Sequence, residues 1–315
     1  MDINIFKSKK PKILITGANG LLGQKIIKEI LIEGKYNAIA TGRGDCRLPT
    51  EWGGYIYEEM DITKISEVMD VFKVYAPDYV IHAASMTDVD RCEVNRHACF
   101  EQNVTATLNI MKGSAMAKSH LIFISTDFIF DGKNGPYDEL AKPNPLNYYG
   151  KTKTDTEVAI QDYKYNWTIV RTNLVYGIAH DMSRSNIILW VKKGLEQKKE
   201  LSLVDDQFRT PTLAEDLANG CLLIVEKNAT GIFNISGDEL LTPYDMAIMT
   251  ATFFELNPER IKKTDSSIFT QVATRPLKTG FNISKAKNIL GFKPKSFTEG
   301  IAILAKQIKL ANYKL

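Results

Sequence analysis

From Lys12 onwards the chain alternates short apolar, β-branched runs with longer amphipathic segments. Most of these runs lack a polar face, which is typical of strands buried on both sides of a parallel sheet. The predicted strands are Lys12–Thr16, Asn37–Thr41, Tyr55–Glu58, Tyr79–Ala83, His120–Ser125, Trp167–Arg171 and Gly231–Ile235. The helix-length segments between them are Leu21–Glu33, Ile65–Tyr75, Arg96–Lys118 and Lys151–Tyr163. This alternation predicts repeated βαβ units, that is, an α/β fold with a Rossmann-type, doubly wound parallel sheet.

Prolines become frequent from Pro143 onwards and shorten the predicted elements there. Helical patterns recur at Asn186–Gln197, Leu213–Glu226, Tyr244–Phe254 and Thr298–Leu310. We therefore expect two domains. A cofactor-binding Rossmann domain would occupy residues 1–172 and be completed by residues 203–235. A smaller C-terminal substrate-binding domain would take residues 173–202 and 236–315.

The composition excludes several classes of protein. Of the 315 residues, 44% are hydrophobic and 24% charged, so the chain can bury a sizeable core. Its 40 basic and 37 acidic residues give a net charge of +3, which argues against a nucleic-acid partner. No apolar run approaches the roughly 18–20 residues of a membrane span, and Met1–Lys12 does not resemble a signal peptide. The four cysteines lack C-x-x-C spacing, which indicates a reduced, cytoplasmic setting and no zinc site.

A glycine-rich turn follows the first predicted strand. Gly17, Gly20 and Gly23 have GxxGxxG spacing and lead into the first predicted helix. Without Cβ atoms, glycines let the backbone approach a pyrophosphate, and the free N–H groups of a helix start can bind it. A purely structural turn is the alternative, but this position between a strand and a helix is typical of a dinucleotide site.

Two further positions bear on the cofactor. Sites selective for NAD carry a carboxylate after the second strand, to accept a hydrogen bond from the ribose. This chain has Arg43 there, between two glycines, and a guanidinium suits a 2′-phosphate. We therefore predict NADP(H), with an exposed loop arginine as the alternative. Asp61, after the third strand, could accept from the adenine amino group or cap the next helix.

A catalytic group is predicted where two segments meet at the carboxyl ends of the strands. Tyr149 and Lys153 are four residues apart at the start of a predicted helix and therefore share a face. A nearby ammonium lowers the pKa of a phenol from about 10, which would make Tyr149 a proton donor near neutral pH. Thr126, at the end of the fifth strand, would hydrogen-bond the carbonyl that receives a hydride.

These segments together resemble the extended short-chain dehydrogenase/reductases and, within them, the dTDP-4-dehydrorhamnose reductase branch. The matching motifs occur in family order from residue 12 to about residue 294. They are Thr16–Gly23, His82–Ser85, Ser125–Gly132, Pro145–Lys153, Arg171–Gly177, Asp205–Thr212 and Arg275–Pro276. The resemblance implies a catalytic triad of Thr126, Tyr149 and Lys153, with Lys153 also holding the nicotinamide ribose.

The resemblance also assigns residues to cofactor and substrate. Cofactor contacts are expected from Gly17, Asn19, Gly20, Leu21, Leu22, Gly23, Arg43, Asp61, Ile62, His82, Ala83, Ala84, Tyr149, Lys153, Thr172 and Leu174. Contacts with a nucleotide-sugar substrate are expected from Thr87, Phe128, Arg209 and Arg275. For each arginine, a surface ion pair is the alternative. The acidic side chains of Asp88, Asp90 and Glu93 are interpreted as solvated, so no metal is predicted.

Two departures from the branch bear on the identity of the sugar. The branch usually has Tyr after Thr-Asp, where this chain has Phe128, and Trp after Arg-Thr-Ser, where this chain has Asn173 and Leu174. The leading hypothesis is an NADPH-dependent reductase of a 4-keto-6-deoxy nucleotide sugar. A nucleotide-sugar epimerase is an alternative, and so is a non-catalytic, cofactor-binding regulatory subunit of the methionine adenosyltransferase β type. A homodimer is possible from the family alone.

Overall fold

The computed structural model describes residues 10–181, 185–268 and 271–310. Residues 1–9 lie outside the described residues. They make up most of Met1–Lys12, the segment that the sequence analysis does not interpret as a signal peptide. The strands are β1 (Lys12–Thr16), β2 (Asn37–Gly42), β3 (Tyr55–Glu59), β4 (Tyr79–His82), β5 (His120–Thr126), β6 (Trp167–Thr172), β7 (Val175–Tyr176), β8 (Leu201–Val204), β9 (Thr212–Leu213), β10 (Gly231–Asn234) and β11 (Ile261–Thr264). The α-helices are α1 (Leu21–Glu33), α2 (Ile65–Tyr75), α3 (Val89–Val94), α4 (Arg96–Phe100), α5 (Ala106–Ala117), α6 (Tyr148–Gln161), α7 (Ile187–Glu196), α8 (Ala214–Lys227), α9 (Pro243–Phe253) and α10 (Phe297–Leu310).

The main sheet is parallel throughout the described chain, with seven strands in the order β3-β2-β1-β4-β5-β6-β10. Alternate residues of β1 face opposite layers of helices. Ile13 and Ile15 pack with α1 and α8, whereas Leu14 packs with α2, α5 and α6. Because both faces are covered, the strands are apolar on both sides, as their sequences predict. The predicted α/β doubly wound fold is confirmed.

The strand order reverses next to β1, which pairs with β2 on one side and β4 on the other. In sheets of this kind, the crevice beyond the carboxyl ends of two such strands is where ligands bind. Gly17 follows β1 and Ala83 follows β4, so the glycine-rich loop and the segment after His82 meet at this crevice. The fold therefore places the predicted cofactor residues at one edge of the sheet.

The C-terminal elements form a second group with its own apolar core. Strands β8 and β11 pair in parallel, and α7 and α9 pack against them through Val191, Leu195, Ala247 and Ala251. Helix α10 joins α7 and α9 through Leu304 and its neighbours. We propose that this group and the main sheet correspond to the two domains predicted from the sequence. No helix in the described ranges is long and apolar enough to cross a membrane.

All seven predicted strands are present, with ends that differ by at most one residue. Among the described elements, four strands and one α-helix were not predicted: β7, β8, β9, β11 and α3. The predicted helix Arg96–Lys118 is interrupted by a π turn at Glu101–Thr105, between α4 and α5. The side chain of Asp88 accepts from the backbone nitrogen of Arg91 and so caps the short α3. A capping residue alone does not predict a helix when no hydrophobic periodicity follows it.

Candidate active site

The glycine-rich loop turns tightly at the carboxyl end of β1. Gly17 has φ = +70°, and a Cβ there would lie 2.9 Å from the backbone nitrogen of Ala84. A Cβ on Gly23 would lie 2.4 Å from the carbonyl oxygen of Gly17, so α1 can begin against the loop only because this residue is glycine. The first turn of α1 consists of uncharged residues and its N-cap is Gly20. The N–H groups of that turn can therefore bind an anion such as a pyrophosphate.

A cavity of about 340 Å³ opens beside this loop. The predicted cofactor residues that line it are Gly17, Asn19, Gly20, Arg43, Asp61, Ile62, Ala83 and Ala84. Asn19 connects two walls of the cavity, since its side chain donates to the carbonyl oxygen of Asp45 (3.0 Å) and accepts from the backbone nitrogen of Arg47 (2.8 Å). These bonds hold the arginine-bearing loop after β2 against the glycine-rich loop.

Asp61 lies in the wall of this cavity. Its Oδ1 accepts from the backbone nitrogen (3.0 Å) and the hydroxyl (2.8 Å) of Thr63, whereas the N-cap of α2 is Lys64. The interpretation of Asp61 as the helix cap was therefore wrong. Burial alone would raise the pKa of Asp61, but the hydrogen bonds from Thr63 and the charge of Arg43 hold that pKa below its usual value. Asp61 is thus an ionised acceptor at the predicted adenine end.

A second cavity, of about 580 Å³, contains the predicted catalytic residues. The predicted site residues that line it are Gly17, Gly20, Leu21, Leu22, Gly23, Ala83, Thr87, Thr126, Phe128, Tyr149, Lys153, Thr172 and Leu174. Residues from β5, from α6 and from the glycine-rich loop therefore face one space, although more than a hundred positions separate the first from the last along the chain.

Two local features bring Thr126 and Tyr149 together. Asn147 caps α6 by accepting from the backbone nitrogen of Gly150 (2.9 Å), which starts the helix one residue before Tyr149. A Cβ on Gly150 would lie only 2.1 Å from the carbonyl oxygen of Phe128. The start of α6 can therefore press against the turn after β5 only because position 150 is glycine.

Burial dominates the electrostatics of the catalytic pair. The Lys153 ammonium donates to the carbonyl oxygen of Ile124 (2.7 Å) and lies 4.2 Å from the ring centre of Phe123. Burial lowers its pKa to about 7, although the carboxylate of Glu157 raises it. Burial also raises the pKa of Tyr149, and the carboxylate of Asp127 adds to this effect. The expectation that Lys153 lowers the pKa of Tyr149 is therefore wrong for the protein alone, because burial raises this pKa and the ammonium is not among the groups that shift it.

His82 lies behind the wall of the cavities and holds the backbone that forms it. The hydroxyl of Thr107 donates to the carbonyl oxygen of Asn103 (2.6 Å) and can therefore only accept from His82. Nδ1 of the neutral ring then accepts from the hydroxyl of Thr16 (2.7 Å), which itself accepts from the backbone nitrogen of Ala84 (3.1 Å). The other ring nitrogen then donates to Thr107 (3.0 Å). Burial lowers the pKa of His82 to about 3, so the ring is neutral at physiological pH. His82 fixes the segment that lines the site and is itself almost fully buried.

The two predicted substrate arginines have protein partners. Arg209 is 5% exposed, and its guanidinium donates to the carbonyl oxygens of Phe208 (2.9 Å), Leu277 (3.0 Å) and Pro276 (2.7 Å). Its Nε lies 3.6 Å from a carboxylate oxygen of Asp127. Arg209 is therefore held by protein groups and is not among the residues that line the catalytic cavity, and its contact with substrate stays a prediction.

Arg275 forms a two-pronged ion pair with Asp90, with nitrogen–oxygen distances of 3.0 and 2.7 Å. This pair fastens a C-terminal segment to α3, and it matches the ion-pair alternative of the sequence analysis. The neighbouring carboxylate of Glu93 accepts from the backbone nitrogen of Tyr148 (2.9 Å). In the described part of the chain, no group of three or more His, Cys, Asp or Glu side chains is arranged to hold a metal.

Several residues that line the cavities were not predicted. Arg47 joins Arg43 in the wall of the first cavity, and Ser85 and Gln102 lie in the same wall. The signal for Arg47 was a second arginine four residues after the first, on the same loop. Ser85 also lies 3.5 Å from the Lys153 ammonium, a contact that only the fold reveals.

Comparisons with known proteins agree with this geometry. Residues 11–310 match the family model described as the RmlD substrate binding domain. Methionine adenosyltransferase 2 subunit beta of Rattus norvegicus is 31% identical over 284 residues, which cover 88% of this chain and 82% of that protein. A probable low-salt glycan biosynthesis reductase of Haloferax volcanii is 28% identical over 297 residues, or 92% of this chain and 96% of the relative. The crystal structure of dTDP-4-dehydrorhamnose reductase from Bacillus anthracis, in complex with NADP, has a TM-score of 0.80 at 26% identity and covers 95% of this chain and 99% of its own.

Proposed function

The chain belongs to the RmlD substrate binding domain family, the dTDP-4-dehydrorhamnose reductase-like branch of the extended short-chain dehydrogenase/reductases. On this premise we propose that it is an NADPH-dependent reductase of a 4-keto-6-deoxy nucleotide sugar. One observation carries the proposal. Thr126, Tyr149 and Lys153 line the same cavity of about 580 Å³ as the glycine-rich loop. A proton donor, its neighbouring cation and a dinucleotide-binding loop can therefore act on one bound molecule.

The chain's residues fit NADP(H) at both ends of the crevice. Arg43 and Arg47 line the cavity next to the glycine-rich loop, and two guanidinium groups can pair with a 2′-phosphate. Asp61, with its lowered pKa, would accept from the adenine amino group. The cofactor, when bound, supplies the hydride.

The protein would supply the proton and the geometry. Burial raises the pKa of Tyr149, so its phenol is protonated at neutral pH and can protonate the oxygen at C4. The pKa of Lys153, about 7, lets this side chain change its protonation state near neutral pH and adjust the charge beside Tyr149. Thr172 and Leu174 would line the nicotinamide end, with Thr87 and Phe128 on the sugar side of the same cavity.

Oxidation of NADPH in the presence of a dTDP-4-keto-6-deoxyhexose tests this proposal. Wild type should consume NADPH in proportion to the sugar nucleotide, and Tyr149→Phe should lower kcat by at least about 100-fold, because a positioned general acid contributes about 10²–10⁴-fold. Tyr148→Phe is the matched control, since this neighbouring side chain does not line the catalytic cavity. Absence of turnover with every 4-keto nucleotide sugar tried, despite tight NADPH binding, would contradict a reductase.

The 31% sequence identity to the rat methionine adenosyltransferase 2 subunit beta favours a second candidate function, that of a non-catalytic regulatory subunit. In this case the same site would hold NADP(H) without turnover, and a methionine adenosyltransferase catalytic subunit would be the partner. Copurification with such a subunit, together with a change in its KM for methionine, would support this candidate. A catalytic subunit that neither binds the chain nor changes its kinetics would exclude it.

A further inference from the structure

A third cavity, of about 500 Å³, lies at the amino-terminal ends of the strands, at the edge of the main sheet opposite the cofactor crevice. Strand β5 begins at His120 in its wall and ends at Thr126 in the wall of the catalytic cavity, roughly 20 Å away at about 3.3 Å per residue. None of the described residues that line this third cavity lines either of the two cavities of the candidate active site. The proposed reductase function therefore gives this cavity no role.

The imidazole of His120 in this cavity has one nitrogen without a hydrogen-bond partner. The hydroxyl of Thr168 donates to the carbonyl oxygen of Ala229 (2.5 Å), so it can only accept from Nε2 of His120 (2.8 Å). Burial lowers the pKa of His120 to about 4, so the ring is neutral at physiological pH and carries a single N–H. Nδ1 is therefore left as an acceptor, and it has no partner among the described residues.

The orientation of the His120 ring is fixed by its neighbours. The ring centre of Tyr79 lies 5.9 Å away, and the phenol of Tyr79 donates to Oδ1 of Asn228 (2.6 Å). His120 is 5% exposed and its Nδ1 is screened from bulk solvent, and a buried acceptor without a partner lowers the stability of the fold. Lys118 and Lys164, which line the same cavity, are exposed, and their side chains can rotate to admit a ligand. A ligand that donates a hydrogen bond to Nδ1 would therefore remove this cost.

The charges around the third cavity favour an anion. Lys118 follows α5 and Lys164 lies shortly after α6, and among the described residues neither ammonium has a carboxylate partner. One acid, Asp78, also lines the cavity, and its carboxylate accepts from the backbone nitrogen of Lys12 (2.8 Å). The ammonium of Lys164 lies 5.7 Å from the ring centre of Tyr165, so positive charge and aromatic surface adjoin. A planar anion can pair with the ammonium groups and pack on the aromatic rings.

We propose that the cavity around His120 is a binding site for a small aromatic anion that carries a hydroxyl group. The ammonium groups of Lys118 and Lys164 bind its carboxylate or phosphate, and its hydroxyl donates to Nδ1 of His120. Its ring packs against the phenols of Tyr79 and Tyr165. The proposal does not rest on the proposed reductase function, because the cavity shares no described lining residue with the candidate active site.

Nitrogen-15 NMR of the histidine rings tests the hydrogen bond directly. The chain has four histidines, and the ring resonances that disappear in His120→Gln are assigned to His120. The free protein should show the tautomer with a proton on Nε2 and none on Nδ1. Millimolar 4-hydroxybenzoate should shift the Nδ1 resonance, whereas benzoate, which lacks the donor, should not. An equal shift with benzoate, or no shift with either 4-hydroxybenzoate or 4-hydroxyphenyl phosphate, would overturn the proposal.

Two double variants measure the role of charge and do not depend on whether His120→Gln folds. Isothermal titration with 4-hydroxybenzoate should give a Kd at least about tenfold higher for Lys118→Gln/Lys164→Gln than for wild type, because both ammonium partners are gone. Lys73→Gln/Lys112→Gln loses the same charge from exposed positions of α2 and α5 outside the cavity, and it should keep the wild-type Kd. Equal Kd values for the two double variants would contradict the proposal.

Thermal shift measurements with NADPH separate this site from the cofactor crevice. The rise in Tm produced by 4-hydroxybenzoate should persist at saturating NADPH, because the two ligands would bind at opposite edges of the sheet. Loss of this rise in the presence of NADPH would place the probe in the cofactor crevice and reject the proposed site. An inactive wild type would instead reject the reductase function, and the titrations with 4-hydroxybenzoate would still decide whether the cavity around His120 binds an aromatic anion.

Discussion

At the residue scale, Gly150 determines how closely α6 approaches the turn after β5. A methyl group there would meet the carbonyl oxygen of Phe128 at 2.1 Å, and a backbone oxygen cannot move aside as a flexible side chain can. We expect Gly150→Ala to lower the free energy of unfolding by about 1–3 kcal/mol, the usual effect of overpacking. It should also lower kcat, because Tyr149 and Thr126 move apart.

Urea denaturation and steady-state kinetics measure these two effects. Lys151→Ala, an exposed position on the same turn of α6, is the control and should change neither quantity appreciably. Wild-type kcat in Gly150→Ala would show that the contact between α6 and the turn does not position the site.

The pKa of Lys153 gives a prediction about stability and pH. In the folded protein this pKa is about 7, below the ordinary value of 10.5, so between these values the unfolded chain binds more protons. The free energy of unfolding should therefore rise with pH across this window, by up to about 1.4 kcal/mol per pH unit from this group. Lys153→Met removes the titrating group and should show a smaller rise.

Denaturation midpoints measured at several pH values within this window test the prediction. Lys192→Met, which removes a lysine from the partly exposed Lys192–Glu196 pair on α7, controls for the general effect of losing a positive charge. If wild type and Lys153→Met show parallel pH dependences, Lys153 is not buried as the structure places it.

The sequence predicted the relative position of two residues correctly where both lie on one element and their spacing fixes the face they share. Tyr149 and Lys153 are one helical turn apart in any α-helix, so their shared face follows from the chain alone. Their pKa values could not be predicted in this way. Burial by β5, α3 and α4 shifts both, and burial depends on elements that are distant along the chain.

At the scale of elements, the Asp90–Arg275 pair fastens the segment before Pro276 to α3, and the start of α3 lines the catalytic cavity. The guanidinium holds the pKa of Asp90 below its usual value. Because the pair is partly exposed, Asp90→Asn should reduce the free energy of unfolding by less than about 1 kcal/mol. It should raise KM for the sugar nucleotide with little change in kcat, as expected when a wall of the binding site loosens.

Kinetics on the Asp90→Asn protein, with Asp238→Asn as the control, test this role. Asp238 forms a comparable exposed pair with Lys287 away from the site, so its variant should keep the wild-type KM. Equal KM values for both variants would show that the Asp90–Arg275 pair does not contribute to binding of the sugar nucleotide.

The elements that sequence reasoning missed share a physical cause. Strands β8 and β11 are four residues each and pair with each other across about sixty positions, so neither carries a local signal of its own. The buried strands of the main sheet, by contrast, are apolar on both faces and could be recognised one at a time. The short α3 depends on a cap at Asp88 and on packing around Cys92.

At the scale of the whole molecule, the selectivity for NADPH over NADH should be measurable as a difference in the thermal stability of the two complexes. A ligand that binds only the folded state at 100 times its Kd adds about 2.7 kcal/mol to the free energy of unfolding. NADPH should therefore raise the Tm more than NADH at equal concentration, because Arg43 and Arg47 face the cavity next to the glycine-rich loop. The double variant Arg43→Ala/Arg47→Ala should respond equally to both cofactors.

Thermal shift measurements with each cofactor test the selectivity, with Arg96→Ala, an exposed arginine of α4, as the control. A larger shift with NADH than with NADPH in wild type would show that the assignment of Arg43 is wrong.

The sequence by itself determined the class of fold and the location of the chemistry. Periodicity and glycine spacing are local properties, and they were sufficient for the strands, for the pyrophosphate loop and for the Tyr149–Lys153 face. Only the tertiary structure decided what surrounds these residues. It placed Arg209 and Thr279 beside Asp127, buried Arg209 among backbone carbonyl groups and lowered the pKa of Lys153 to about 7. The reason is physical: hydrogen-bond direction and desolvation depend on which groups meet in space, and those groups come from segments that lie far apart in the sequence.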